Sequence, residues 1–291
     1  MTDTTDYGHD LLFGTFVTPV NRPVHRAVEQ AMVADRAGLD LVTFQDHPYV
    51  AKFHDTSTLL AYAAAKTERI RLAANVTNLP LRPPAVLARS IATLDQLSGG
   101  RVELGLGAGA FWDGVEAMGG PRRTPGESIE ALEEAIAIIR GIWDTEDTSV
   151  LSVRGKHYDV HGAKRGPAPA HPVEIWVGAY KPRILRMTGR VADGWLPSLA
   201  YLEKGPAELA DMNRRIDDAA TGAGRDPRDI RRFLNLAGDL SAEQLAEIAL
   251  TYGTSGFILP SDDTATTERF AAEVAPAVRE LVTAERGARR G

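Results

Sequence analysis

Asp46 and His47 are neighbours in the chain that could move a proton. An imidazole titrates near neutrality, and an adjacent carboxylate can orient it or accept a hydrogen bond from a ligand. A plainer reading also fits, with Asp46 capping a short helix and His47 packed beside Pro48. The cluster Gly105-Leu106-Gly107-Ala108-Gly109-Ala110 could let a flat ligand come close to bare backbone, or could be a tight turn with no ligand. Gly178-Ala179-Tyr180-Lys181 precedes a helix that starts near Pro182 or Arg183. Free N–H groups at such a start bind phosphate, and Lys181 and Arg183 add positive charge; the alternative is an ordinary glycine turn with solvated basic residues.

Several chemistries are excluded. The 291 residues contain no Cys, which removes disulfides, thiolate metal sites, iron–sulfur clusters and cysteine nucleophiles. No Gly-x-Ser-x-Gly elbow and no GxxxxGK[ST] loop occurs. His47 and His54 stand seven apart without a compact ligand set around them, so no metal is expected. The glycine cluster is a poor dinucleotide fingerprint, because it follows a fourth strand and the acidic residues near Glu130 fall inside a helix. Lys plus Arg number 33 against 39 Asp plus Glu, a net charge of −6 that argues against a nucleic-acid partner. With 44% hydrophobic and 25% charged residues, no apolar run long enough for a membrane span and no leader-like start, a soluble cytoplasmic protein is expected.

The elements that must position these groups alternate. Strands are predicted at Leu12–Val17, Leu39–Phe44, Ile70–Val76, Val102–Leu106, Val173–Val177, Gly194–Leu196, Ile230–Leu236 and Gly256–Leu259. Helices are predicted at about Arg22–Ala37, Ser57–Lys66, from Pro83 to Ser98, Gly126–Trp143, Arg183–Val191, Pro206–Thr221, Ala242–Tyr252 and Thr264–Thr283. After the fourth helix comes an insertion, about 144–172, containing a small hairpin at Ser149–Val153 and His157–Val160. Both ends, Met1 to about Asp10 and Glu285–Gly291, are expected to fray. Eight β–α units imply an α/β fold closed into a (β/α)8 TIM barrel, one domain with an ordered core over about 11–284; an open doubly wound sheet is the structural rival. In a barrel, active groups gather at the C-terminal strand ends. Asp46-His47, Asn75–Asn78, Gly105–Ala110, Gly178–Lys181 and Asp193–Trp195 would then share one mouth.

Ser90 through Arg101 to Gly109, with its Leu-Asp-Gln-Leu-Ser-Gly-Gly-Arg-Val-Glu-Leu-Gly-Leu-Gly core, resembles the signature of the luciferase-like monooxygenase superfamily of flavin- and deazaflavin-dependent oxidoreductases. Ile175–Gly178 and Arg190–Trp195 resemble its second marker, and the likeness runs from about Leu11 to Leu281. The resemblance implies a TIM barrel with an isoalloxazine-type ring across the mouth, and a non-proline cis peptide at Asn75-Val76 in a bulged third strand. By the same resemblance Thr77, Ala108 and Gly109 line the ring edge, and Gly178, Ala179 and Tyr180 hold the phosphate. Relatives that use the deazaflavin coenzyme F420 carry Asp-His after the second strand, as here, whereas luciferase-type members more often show Glu-His-His. Gln45 and Pro48 depart from the usual neighbours of that histidine.

The implied activity is hydride transfer between F420 and a small organic substrate, with His47 as proton partner, Asp46 orienting it or contacting the ring, and Tyr49 and Trp112 covering the substrate. FMN-dependent monooxygenation, fed by a partner reductase, is the alternative cofactor reading. A non-catalytic flavin-binding barrel is the third, supported by the plain lining at Ala108 and Ala179. The resemblance also implies a homodimer. Arg122-Arg123 could meet an anionic group or be a solvated pair.

Overall fold

The computed structural model describes residues 5–289. The chain lays down β1 (Leu12–Val17), α1 (Arg26–Ala37), β2 (Leu41–Phe44), α2 (Thr56–Ala64) and β3 (Arg71–Ala74), which resumes past a bend as β4 (Thr77–Asn78). Next come α3 (Pro84–Ser98), β5 (Val102–Gly107), α4 (Trp112–Ala117), α5 (Pro125–Trp143) and a hairpin of β6 (Leu151–Arg154) and β7 (Asp159–Ala163). The alternation then returns with β8 (Ile175–Val177), α6 (Pro182–Val191), β9 (Gly194–Trp195), α7 (Glu208–Gly222), β10 (Arg231–Asn235), α8 (Ala242–Tyr252) and β11 (Gly256–Pro260). The closing segment is α9 (Thr264–Arg269), a wide π-turn at Phe270–Val274, and α10 (Ala275–Ala288).

All pairings in the main sheet are parallel, in the order β3-β2-β1-β11-β10-β9-β8-β5. β3 also pairs with β5, Leu72 opposite Val102 and Ala73 opposite Glu103, which closes the ring. That pairing excludes the open sheet. With β3 and β4 counted as one bent strand, the barrel has eight strands, each followed by helix. Strand side chains point alternately into the barrel and out towards the helices, so both faces must be apolar. Inside, Leu41, Ala73, Trp176, Leu196, Phe233 and Ile258 form a plug, with the Trp176 and Phe233 rings 4.2 Å apart. Outside, residues such as Phe13, Phe44, Leu104 and Phe257 pack on the inner stripes of the helices.

The helix ends follow local chemistry. Gly38 takes the left-handed conformation after α1, and Thr124 with Glu127 forms a reciprocal capping box before α5. At the ends expected to fray, Arg286 on α10 bonds both carboxylate oxygens of Asp6; residues 1–4 and 290–291 lie outside the described residues. The last helix is interrupted by the π-turn, where buried Phe270 meets Phe13 edge-on at 5.8 Å. α4 escaped prediction because it is under two turns long and follows a left-handed Phe111 rather than a capping residue.

The insertion hairpin lies one to three residues further along than predicted. It is bound to α5 by Glu134, whose carboxylate accepts the backbone N–H groups of Lys156, His157 and Tyr158 at 2.8 to 3.0 Å. Arg123 lies 5.0 Å over the Tyr158 ring, and Arg122 pairs with Asp113 and Glu116, so both arginines have structural partners. Among the described residues no helix is long and apolar enough to cross a membrane.

Candidate active site at the barrel mouth

A cavity of about 650 Å3 opens at the C-terminal ends of the strands. That size lies in the range of small-molecule sites, roughly 300–1,000 Å3. Among its walls are Asp46, His47, Tyr49, Asn75, Val76, Thr77, Ala108, Gly109, Gly178, Ala179 and Tyr180. Of the twelve residues given a role from sequence (these eleven and Trp112), the fold brings all but one to this cavity. Asp193, expected at the same mouth, instead accepts the N–H of Ile175 at 2.9 Å and pairs with Arg140 at the other end of the barrel. Trp112 does not line the cavity. It opens α4, and its ring backs onto Gly109, where a β-carbon would lie 2.8 Å from the ring edge.

The floor is the bend between β3 and β4, where the Asn75–Val76 peptide is cis, as the resemblance implied. The Asn75 amide donates to Asn235 Oδ1 at 2.6 Å, and Asn235 donates in turn to the carbonyl of Pro197 at 3.2 Å. Sequence reasoning missed Asn235, although a polar residue ending the seventh strand is the kind of signal the barrel rule supplies. The glycine cluster resolves into two roles. A β-carbon at Gly105 would lie 2.0 Å from the carbonyl oxygen of Ala74, and one at Gly107 would lie 2.6 Å from Val76 Cγ2. These two are bare because the bent strand presses on them. Gly107, Ala108 and Gly109 also present smooth wall to the cavity.

Asp46 does not orient His47. It is 3% exposed, and its carboxylate accepts two bonds from Arg82, at 2.9 and 2.8 Å, and the N–H of Asn78 at 3.0 Å. With both oxygens engaged, Asp46 locks β4 to the loop after β2, and Arg82 is the partner that sequence reasoning missed. His47 Nδ1 instead meets the hydroxyl of Tyr49 at 2.6 Å. Burial pushes the imidazole below its ordinary value, with the Asp46 charge opposing, so the ring is neutral at pH 7.

On the opposite wall the Tyr180 hydroxyl accepts the N–H of Ser198 at 2.8 Å, and burial pushes the phenol up to about 12. Lys181 stands exposed at the rim as the N-cap of α6. Arg183 is drawn away to Glu130 at 2.8 Å, so of the two predicted cations only Lys181 serves the cavity. Phe16, Ile184, Leu196, Tyr201 and Pro260 complete an apolar wall that sequence reasoning had not assigned. No group of three or more His, Asp or Glu among the described residues is placed to hold a metal ion.

Residues 10–277 match a family model described as luciferase-like monooxygenase. Among curated proteins, a phthiodiolone/phenolphthiodiolone dimycocerosates ketoreductase of Mycobacterium sp. (strain JLS) is 37% identical over 191 residues, 63% of this chain and 47% of the relative. A 5,10-methylenetetrahydromethanopterin reductase of Methanolobus tindarius is 33% identical over 222 residues, 76% of this chain and 63% of the relative. The chain thus spans about half the length of the ketoreductase it matches. Among solved structures, an F420-dependent secondary alcohol dehydrogenase in complex with an F420-acetone adduct superposes with a TM-score of 0.80 at 19% identity, covering 93% of this chain and 99% of that one. A type II Baeyer-Villiger monooxygenase, the oxygenating constituent of 3,6-diketocamphane monooxygenase of Pseudomonas putida in complex with FMN, gives a TM-score of 0.72 at 19% identity, covering 92% and 98%. At such identities the structural likeness concerns the fold.

Proposed function

The chain belongs to the luciferase-like monooxygenase family, and from that premise we propose that it is an oxidoreductase transferring hydride between coenzyme F420 and a small carbonyl or alcohol substrate. The observation that carries the reading is the cavity itself. A neutral imidazole stands over a smooth floor of Val76, Gly107, Ala108 and Gly178, and Nε2 has no partner among the described residues. These residues fit a flat tricyclic ring: the walls are apolar, and small residues leave space for a plane rather than for branched groups. Val76, Thr77, Ala108 and Gly109 would hold the ring. Gly178, Ala179 and Tyr180, with Lys181 beside them, would hold its anionic end.

When bound, F420 supplies the hydride chemistry. The protein's part is to keep the site dry, fix the ring's plane and supply a proton partner, for which His47 is the group available. The choice of F420 is supported by the Asp46-His47 pair and by the similar F420-dependent alcohol dehydrogenase and F420-dependent tetrahydromethanopterin reductase. The carbonyl or alcohol class follows the names of the similar ketoreductase and dehydrogenase.

A homodimer in the cytoplasm, with a reductase restoring the cofactor, belongs to the same reading. Titration of the protein with F420 and with FMN, followed by fluorescence, tests it. Saturable F420 binding is expected; tight FMN binding without F420 binding would overturn it in favour of an FMN monooxygenase. Cofactor binding with turnover indifferent to His47→Ala would favour the non-catalytic barrel.

A further inference from the structure

A phenol, not a carboxylate, holds the imidazole of His47. The Tyr49 hydroxyl lies 2.6 Å from Nδ1, and the two rings are 5.4 Å apart. Tyr49 is itself held on two sides. Its ring lies on α4 at Gly114, where a β-carbon would come within 2.7 Å of the ring. The Phe111 ring stands 6.2 Å away.

Burial pushes the phenol up from its ordinary value, so the hydroxyl keeps its hydrogen at pH 7. Among the described residues Nδ1 is the acceptor that this hydroxyl meets, and a phenol O–H given to an imidazole nitrogen pairs the more acidic donor with the more basic acceptor. An imidazole whose Nδ1 accepts a hydrogen bond carries its proton on Nε2.

We propose that Tyr49 is a positioning residue that fixes His47 in the Nε2–H tautomer, so that the ring donates a hydrogen bond into the cavity, to the oxygen of a carbonyl substrate. This rests on the reading of His47 as proton partner and adds a direction to it: the resting site is set to receive a carbonyl oxygen rather than to accept the proton of an alcohol. Burial keeps the ring neutral, which suits it to donate from nitrogen without carrying charge. Asp46, the nearest carboxylate, is neutralised by Arg82 and does not compete for the ring.

The test needs no cofactor. In protein labelled with 15N-histidine at pH 8, nitrogen–proton correlation spectra distinguish protonated from bare ring nitrogens. For His47, a protonated Nε2 and a bare Nδ1 are expected. Tyr49→Phe keeps the ring on Gly114 but removes the donor, and both His47 nitrogens should move to the intermediate shifts of a tautomer mixture. A wild-type His47 protonated at Nδ1, or a spectrum unchanged in Tyr49→Phe, would overturn the proposal. Failure of the functional reading would show separately, as absent F420 binding with the tautomer as expected.

Discussion

Two histidines at opposite ends of the barrel are held in opposite proton states. His47 at the mouth touches a phenol and an aromatic edge, and burial depresses its pKa. His171 at the base is wedged between two buried carboxylates, Asp95 at 2.9 Å and Glu103 at 3.2 Å, and they raise it to about 9. The base is dense with such pairing: Glu103 also accepts Arg71 and the N–H of Glu174, and buried Arg232 pairs with Asp217 at 2.6 Å. The mouth has the Asp46–Arg82 pair, one rim lysine and an unpartnered amide oxygen. Charge at the base is spent on closing the ring, whereas the mouth leaves groups unsatisfied for a ligand to meet. Substitutions at the two ends should therefore separate stability from turnover.

The largest effect is expected from Asp95→Ala. Asp95 is fully buried and accepts the N–H groups of Val102, Ala170 and His171 as well as the His171 ring. Its loss strands these donors and leaves His171 paired with Glu103 alone, at a cost of about 3–5 kcal/mol in urea unfolding. Turnover per folded molecule should stay within about twofold, because the change lies beyond hydrogen-bond reach of the mouth. His47→Gln should do the reverse: removing a positioned proton partner lowers kcat/KM on the order of 100-fold. Its urea midpoint should barely move, since His47 is held by one side-chain bond and partial burial. A base variant that abolished turnover in the folded protein, or a mouth variant that unfolded it, would break the distinction.

The two histidines also predict opposite slopes of stability against pH. The contribution of His171 is complete below the unfolded-state value of about 6.5 and is lost as pH rises through about 9. Its side chain is 23% exposed, and with solvent screening allowed for, the loss between those limits is on the order of 2 kcal/mol. His171→Gln should flatten that alkaline limb. His47, depressed by burial, acts the other way: the unfolded chain binds its proton more readily, so acidification below about 6.5 costs stability, by a smaller amount.

The sequence carried the barrel well, because its signal is repeated: eight apolar runs alternate with helical stripes, and no single boundary decides the count. It also carried the rim, since the rule that chemistry follows strand ends picked out Asp46, His47, Asn75 and Gly178 without tertiary information. What it could not carry was pairing across the barrel. Asp46 lies 36 residues from Arg82, and Asn75 lies 160 from Asn235. No local pattern distinguishes a carboxylate already committed to a guanidinium from one free to orient an imidazole. Tyr49 shows the same limit: its hydroxyl lies two residues from His47 in sequence, but only the loop's curvature turns it onto Nδ1. The left-handed backbone at Phe111 leaves no trace in composition.

Phe111 offers the smallest and most discriminating change. It has a φ of 54° and is 67% exposed, so its ring gains little from burial while its backbone occupies a region that disfavours side chains by about 1–2 kcal/mol. The return is that its ring meets His47 edge-on at 5.5 Å and screens the imidazole from water. Phe111→Gly relieves the backbone, but the more flexible unfolded chain offsets part of the gain, leaving a net stabilisation of about 0.5 kcal/mol. Water reaching the imidazole should raise the His47 pKa towards its ordinary value, shifting the acid limb of the rate profile upward in pH and lowering turnover at pH 6. Stability and activity would then move in opposite directions at the mouth from a single side chain. A variant that lost stability and kept the His47 titration unchanged would show that the Phe111 ring serves the loop rather than the imidazole.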